Sequence, residues 1–305
     1  MVLVGVLGPV VLRGADGAPV PLGSGRQRRL LAALALHAGT EVDRAELAEL
    51  VWTDGQPADP VAALQTNVAR LRRLLPADVT IATGPRGYRL QVAAEAVDAG
   101  RFDAHLGTAA ATADPGRRLG ELDAALALWR GRPFPEVDHP AAGPEVTRLT
   151  GLHDAAREDR AAALLATGRA ADAAAAAAAL VAADPLRERA VAVLIRALVA
   201  AGRPAEALAA FARLRAELAD QLGADPSPEL QRLHEQVLRQ ELPAAPAAPR
   251  PGLPISSFVG RQEDLARVGA ALARCRVVTL CGPGGVGKTR LARHAAAAAA
   301  DRYAD

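Results

Sequence analysis

Residues 64–75 read Leu64-Gln65-Thr66-Asn67-Val68-Ala69-Arg70-Leu71-Arg72-Arg73-Leu74-Leu75. Placed on a helix at about 100° per residue, Leu64, Val68, Leu71 and Leu75 fall within about 60° of one another, a stripe to bury. Ala63, Thr66, Arg70 and Arg73 take the opposite side, with Asn67 at one flank and Arg72 at the other. An ordinary solvated helix face would look much the same, so the neighbouring segments decide. Downstream, Val79-Thr80-Ile81-Ala82 and Tyr88-Arg89-Leu90-Gln91-Val92 bracket Gly84-Pro85-Arg86-Gly87, which predicts a β-hairpin.

Upstream lie two further helical segments. Ser24 is placed to cap a helix running to about His37, ended by Gly39. Asp43 caps a second through Trp52, with Glu46 completing a capping-box spacing. A loop with Gly55, Pro57 and Pro60 precedes the third helix, expected over about 61–75. Ahead of all three, Val2-Leu3-Val4, Val6-Leu7, Val10-Val11-Leu12 and Val20-Pro21-Leu22 read as short strands around a Gly14–Gly17 turn. Strands, three helices and a terminal hairpin are the order of an α+β winged helix-turn-helix, here over residues 1–95.

Residues 66–90 hold Arg70, Arg72, Arg73, Arg86 and Arg89 against one acid, Asp78, while the rest of the N-terminal domain is roughly balanced. That concentration matters more than the net charge of +2. Arg bonds guanine edges bidentately, Asn reads adenine, and Thr meets a phosphate or a thymine methyl. The hairpin tip at Pro85-Arg86-Gly87 suits a minor groove or the phosphate backbone. Arg26, Arg28 and Arg29 are placed either to add phosphate contacts or simply to be solvated. Candidate DNA contacts are Thr66, Asn67, Arg70, Arg72, Arg73, Arg86, Arg89 and Arg28.

Residues 98–241 carry almost only helical patterning. Ala166-Thr167-Gly168-Arg169-Ala170-Ala171-Asp172-Ala173 matches Ala200-Ala201-Gly202-Arg203-Pro204-Ala205-Glu206-Ala207 at an offset of 34 residues. That is the period of tetratricopeptide-like helix pairs, with a plain helical bundle as the alternative. Ala-Asp-Pro at 183–185 and 224–226 stops one helix and opens the next. Residues 242–254 are Pro-rich, an extended linker and a domain boundary.

Beyond it, Gly282-Pro283-Gly284-Gly285-Val286-Gly287-Lys288-Thr289 is a full G-x-x-x-x-G-K-[ST] match. A helix is expected around Gln262–Arg274, a strand over about Arg276–Cys281, and another helix from near Thr289. Glycines let backbone N–H groups wrap a phosphate, Lys288 supplies charge, and the Thr289 hydroxyl suits Mg²⁺. Expected nucleotide contacts are Gly282, Gly284, Gly285, Val286, Gly287, Lys288, Thr289 and Arg290. Hydrolysis would also need a second acid and a water-orienting group from later strands, which residues 255–305 do not supply. This segment is therefore read as the truncated α/β start of a P-loop domain, not a working enzyme. ATP or ADP with Mg would bind only in a complete domain, and DNA binding would need no cofactor.

Half the chain is apolar but only 3% is aromatic, which suits closely packed helices with thin Ala, Leu and Val side chains. Cys275 and Cys281 are read as buried reduced thiols, not a disulfide framework or metal pair. The six histidines show no ligand spacing. Trp52 and Trp129 are expected to anchor the cores of their own domains. No run has membrane-spanning length and hydropathy, and Met1–Leu12 lacks the basic start of a signal peptide. A cytoplasmic, nucleoid-associated protein is expected.

The segments Leu7-Gly8-Pro9-Val10, Gly25-Arg26-Gln27-Arg28-Arg29-Leu30-Leu31-Ala32, 64–75 and Gly84–Leu90 together resemble the OmpR-type winged helices of the Streptomyces antibiotic regulatory protein family. Phe102, Leu126-Ala127-Leu128-Trp129-Arg130-Gly131 and Pro133-Phe134 resemble its bacterial transcriptional activator domain. Phe258-Val259-Gly260-Arg261 is similar to the opening of NB-ARC-like signalling ATPases, which implies Val259 and Arg261 near a nucleotide base, although a linker-to-helix junction reads the same. The family resemblance implies a transcriptional activator of a secondary-metabolite gene cluster. It would bind direct promoter repeats as a homodimer and recruit RNA polymerase with its sigma factor. The rival reading is a nucleotide-dependent signalling ATPase whose N-terminal domains bind protein.

Overall fold

The computed structural model describes residues 3–53, 55, 57–242, 261–275, 278–282 and 287–299, in two compact units, 1–245 and 246–305. In the first unit, β1 (Leu3–Gly5), β2 (Val11–Arg13) and β3 (Pro19–Val20) form an antiparallel sheet, with Leu3 opposite Arg13 and Leu12 opposite Val20. Helix α1 (Gly25–Leu36) starts at Ser24, whose side chain accepts from Gln27 N while Gln27 returns to the Ser24 amide. Helix α2 (Arg44–Val51) starts at Asp43, which accepts from Ala45 N. The capping box therefore sits on α1, and Glu46 instead lies 4.0 Å from His37.

Helix α3 (Pro60–Arg72) opens with Pro60 in its first turn, where no amide is missed, and Asp59 accepts from Ala62 N. Its stripe of Leu64, Val68 and Leu71 is at most 1% exposed and packs with Leu30, Leu34 and Leu47 in one core. Burying each such Leu contributes about 1.5–3 kcal/mol, so this stripe is what holds the opposite face outward. The hairpin follows as β5 (Thr80–Thr83) and β6 (Gly87–Gln91), with Ile81 opposite Leu90 and Thr83 opposite Tyr88. One strand went unread: β4 (Glu41–Asp43), between α1 and α2, pairs with β6 to give the order β4-β6-β5. Three residues with one buried side chain, Val42, are too short for an alternation signal.

The helical part stacks α4 (Asp98–Ala111), α5 (Pro115–Ala127), α6 (Gly143–Ala166), α7 (Ala170–Ala183), α8 (Glu188–Ala200), α9 (Pro204–Leu222) and α10 (Pro228–Leu238). The 34-residue match is a structural repeat. At the α6–α7 turn Gly168 N donates to Leu165 O and Arg169 N to Leu164 O; at the α8–α9 turn Gly202 N donates to Val199 O and Arg203 N to Leu198 O. Gly168 and Gly202 both need the left-handed region, φ 78° and 74°. Each turn also carries an ion pair three residues apart, Arg169–Asp172 and Arg203–Glu206. A third Ala-Asp-Pro, at 113–115, opens α5 with Asp114 accepting from Arg117 N. Ala173, Ala174 and Ala177 are buried on α7, the thin side chains that let these helices approach closely.

Val6-Leu7 is not a strand. Residues 6–10 leave the sheet and bond to the helical part, within the same unit. Phe134 N donates to Val6 O at 2.8 Å and Arg130 N to Leu7 O at 2.7 Å. The Asp98 carboxylate, 1% exposed at the start of α4, accepts from Val6 N at 2.7 Å, Leu7 N at 3.1 Å and Arg130 Nη2 at 2.6 Å. Burial pushes its proton affinity up, and the Val6 amide, Arg130 and the Leu7 amide pull it back down. Val10 N donates to Glu136 Oε1, and Arg29 donates to Glu136 O and Val51 O. Gly8 lies at φ 131°, and a Cβ there would meet the Arg130 backbone at 2.9 Å. Trp52 is buried in its own core, whereas Trp129 is half-buried, edge-on to Phe102 at 5.4 Å and against His153 at 4.1 Å.

In the second unit, α11 (Gln262–Leu272) packs on α12 (Lys288–Ala299), which buries Leu291 and Ala295. The strand expected over Arg276–Cys281 is not formed at Val278–Cys281; among the described residues of this unit no second strand is present to take its amides and carbonyls. Cys275 and Cys281 are exposed free thiols, not buried ones, because that apolar run has no sheet to sit in. No helix among the described residues is long and apolar enough to cross a membrane.

Candidate nucleic-acid interface

Helix α3 is 13 residues long, about 20 Å at 1.5 Å per residue, and fits a major groove about 12 Å wide. Opposite its buried stripe it exposes Ala62, Thr66, Ala69, Arg70 and Arg73. The Thr66 hydroxyl donates to Ala62 O at 3.0 Å and the half-buried Asn67 amide donates to Ala63 O at 2.8 Å. The single Thr66 hydroxyl hydrogen must leave Ala62 O before it donates to a base or phosphate, whereas the Asn67 amide keeps a second N–H for such a bond.

The wing is held from three sides. Glu41, on β4, accepts the amides of Arg86 and Gly87 at 2.8 and 2.7 Å. The Arg86 amide in particular keeps the Glu41 carboxyl below its usual range, so this tie is intact at neutral pH and is lost only as pH falls through that lowered value. Arg44, the first residue of α2, donates to the carbonyls of Arg86, Pro85 and Gly84 at 3.0, 3.2 and 3.4 Å. Arg72, the last residue of α3, donates through Nε and Nη2 to Ile81 O at 2.9 and 2.6 Å and to Thr83 Oγ1 at 2.7 Å. Among the candidate contacts, then, Arg72 has protein acceptors instead of a free fork. Of the arginines opening α1, Arg29 donates across the domain junction to Glu136 O, while Arg28 is half-buried and Arg26 exposed.

Gly87 marks where β4 and β6 come closest. A Cβ there would stand 1.7 Å from Val42 O and 3.0 Å from Asp43 Cα, both backbone atoms that cannot turn aside. Gly87→Ala is expected to force β4 from β6 at a cost of about 1–3 kcal/mol and to weaken DNA binding with it. Hydrogen exchange at the hairpin amides and a thermal melt would register this; wild-type protection and stability would refute it.

Arg70, Arg73, Arg86 and Arg89 are exposed, and their guanidinium groups have no hydrogen bond or ion pair among the described residues. In the helical part Arg148, Arg160, Arg187 and Arg203 are each paired with an acid, whereas Arg117, Arg132, Arg213 and Arg215 are exposed without such a partner among the described residues. Cations gathered on one helix and its adjoining hairpin, with the Glu41 carboxylate attracting Arg86 and Arg89 at its margin, form a surface ready for a polyanion.

The second candidate site is only partly described; Val259, Gly284, Gly285 and Val286 lie outside the described residues. Gly287 adopts φ 86°, Lys288 opens α12 and its ammonium donates to Gly282 O at 2.8 Å. Thr289 is exposed and Arg290 half-buried in the same first turn, and Arg261 pairs with Asp264 at 3.2 Å. A helix N-terminus with a lysine beside it suits a phosphate group, and to that extent the residues fit a nucleotide.

Strands, three helices, a winged hairpin and a cation-bearing third helix define a winged helix-turn-helix of the nucleic-acid-binding class, joined to tetratricopeptide-like helix pairs. The model for "Transcriptional regulatory protein, C terminal" matches residues 17–90, and that for the bacterial transcriptional activator domain matches residues 97–238. The regulatory protein DnrI of Streptomyces peucetius is 32% identical, over 78% of this chain and 92% of that protein. The regulatory protein AfsR of Streptomyces griseus is 36% identical over 98% of this chain, which spans 33% of it. A solved structure of Mycobacterium tuberculosis EmbR in complex with a low-affinity phosphopeptide superposes with TM-score 0.71 at 29% identity, covering 91% of this chain and 72% of that one. The chain belongs to the family of Streptomyces antibiotic regulatory protein-type transcriptional regulators. It spans about a third of the length of the AfsR proteins it matches.

The sequence signals left three supports of the wing unread. Glu41 sits in a strand too short to detect, Arg44 reads as the residue after a cap, and Arg72 reads as a flank of the helix face. Only the tertiary pairing reveals what each holds.

Proposed function

We propose that this chain is a sequence-specific DNA-binding transcriptional activator working in the cytoplasm, at the nucleoid. The observation that carries the reading is the grouping on α3 and the wing of the exposed guanidinium groups of Arg70, Arg73, Arg86 and Arg89, which make no hydrogen bond or ion pair among the described residues. Helix α3 enters the major groove, and the wing lies along the neighbouring backbone. Two protomers occupy direct promoter repeats, and the helical part orients them and meets RNA polymerase with its sigma factor. The names of the relatives as regulatory proteins support this reading, and the family points to control of a secondary-metabolite gene cluster. DNA binding requires no cofactor. Binding of the chain to genomic fragments of its host across a salt series tests the proposal: affinity should fall steeply with salt, by a log–log slope of about −0.9 per phosphate neutralised. Weak binding indifferent to sequence would refute it.

Lys288 at the start of α12 favours a second reading for a longer form of the protein. There ATP or ADP with Mg²⁺, held by Gly282–Arg290 and Thr289 in a complete domain, gates the activator through nucleotide state. In such a form Lys288→Ala should change the promoter response at least several-fold. An unchanged response would end the gating idea.

A further inference from the structure

Arg72 and Arg44 fasten the stem and the adjoining tip of the wing to two different helices. Arg72 reaches from the C-terminus of α3 to Ile81 O and Thr83 Oγ1 on β5, an edge strand whose outer side has no strand neighbour in the sheet. Arg44 reaches from the N-terminus of α2 to the carbonyls of Gly84, Pro85 and Arg86 at the hairpin tip. Both guanidinium groups lie against the buried Tyr88 ring, at 5.9 and 5.8 Å from its centroid. The stem and the tip of one hairpin are thus tied to the two helices of the helix-turn-helix. Their neighbours on the same surface, Arg70, Arg73, Arg86 and Arg89, make no such bonds.

We infer that Arg72 and Arg44 are positioning residues for DNA recognition: they set the wing's angle against α3, so that Arg86 and Arg89 meet the backbone while Arg70 and Arg73 are in the groove. The inference rests on the DNA-binding reading above and deepens it. A hairpin is a marginal element by itself, and one free to swing would pay orientational entropy on every encounter with DNA. A planar guanidinium fixes the angle because its donors are rigidly arranged; at Arg72, Nε and Nη2 converge on a single carbonyl. Lys presents a point charge on a flexible stem and cannot reproduce that geometry. Arg72 therefore matters through its shape, where a phosphate ligand would matter mainly through its charge.

The test uses the full chain and an operator fragment. Arg72→Ala and Arg72→Lys are compared with the wild type, with Arg86→Ala/Arg89→Ala, and with the Arg72→Ala change added to that wing pair. Thermal melting confirms that each variant is folded. Both Arg72 variants are expected to lose about tenfold in affinity. The same Arg72→Ala change should cost less than about twofold once the wing arginines are gone, because it acts through them. Cleavage protection at the flank contacted by the wing should fade, while protection in the central groove persists. If Arg72→Lys instead keeps wild-type affinity, and Arg72→Ala lowers the salt slope by about one phosphate and adds fully to the wing pair, Arg72 is a direct phosphate ligand and the inference is overturned. Failure of the DNA-binding reading would look different, since the wild type would then show no operator preference and no steep salt slope.

Discussion

Replacing Arg70 and Arg73 together with alanine is expected to lower affinity for the operator by at least about 30-fold, with no measurable change in melting temperature. Each guanidinium that reads a base edge is worth about 1–3 kcal/mol, so two lost together remove about 2–6 kcal/mol. Stability should not follow, because both side chains are exposed and make no bonds among the described residues. The salt series separates two modes. If the arginines read bases, specific binding collapses toward non-specific binding while the salt slope barely moves. If they neutralise phosphates, affinity for every fragment drops together and the slope flattens by about 0.9 per arginine. A variant that binds the operator as tightly as the wild type would remove α3 from the interface and give the lead to protein-binding N-terminal domains.

The features that were legible in advance are those in which one local signal sufficed. The 3.6-residue stripe of Leu64, Val68 and Leu71 located α3 and oriented its outer face. The Gly84–Gly87 cluster between two apolar runs located the hairpin, and the Gly168 and Gly202 turns betrayed the repeat, because glycine in the left-handed region leaves a compositional mark. Contacts distant in sequence left none. Asp98 acts on amides 92 and 91 residues earlier, and Glu41 acts on amides 45 and 46 residues later, through backbone groups that any residue supplies. Val6-Leu7 was expected as a strand because it is apolar; its hydrogen bonds go instead to Asp98, Arg130 and Phe134, and burial alone explains its composition. The Val278–Leu280 run misled in the same manner, since an apolar run becomes a strand only beside a partner. For the candidate interface, sequence placed the cations but could not tell exposed guanidinium groups from committed ones, which is why Arg72, though read at a flank, stood among the candidate contacts with Arg70.

The second large effect is expected at the joint between the winged helix and the helical part. Asp98→Ala should destabilise the first unit by about 3 kcal/mol, since removing one partner of a buried ion pair typically costs about 3–5 kcal/mol and Arg130 retains some solvent. The loss has two sources. The amides of Val6 and Leu7 lose their acceptor, at about 1–3 kcal/mol for each group left unpaired. The Arg130 guanidinium, still bonded to Pro9 O, loses its counter-charge. At about 2–4 °C per kcal/mol for a unit of this size, melting should fall by about 6–12 °C. Asp98→Asn should cost less than Asp98→Ala. Burial already opposes the charged carboxyl, so an uncharged group of the same shape escapes that desolvation while keeping one acceptor oxygen. Hydrogen exchange gives the local readout: the Val6 and Leu7 amides should lose protection in Asp98→Ala well before those of the buried α3 stripe. If melting stays within about 1 °C of the wild type and both amides remain protected, Asp98 is not what joins the domains. The coupling would then fall to the Glu136–Val10 bond and the Arg130 and Phe134 amides, which pair with Leu7 and Val6 without any carboxylate.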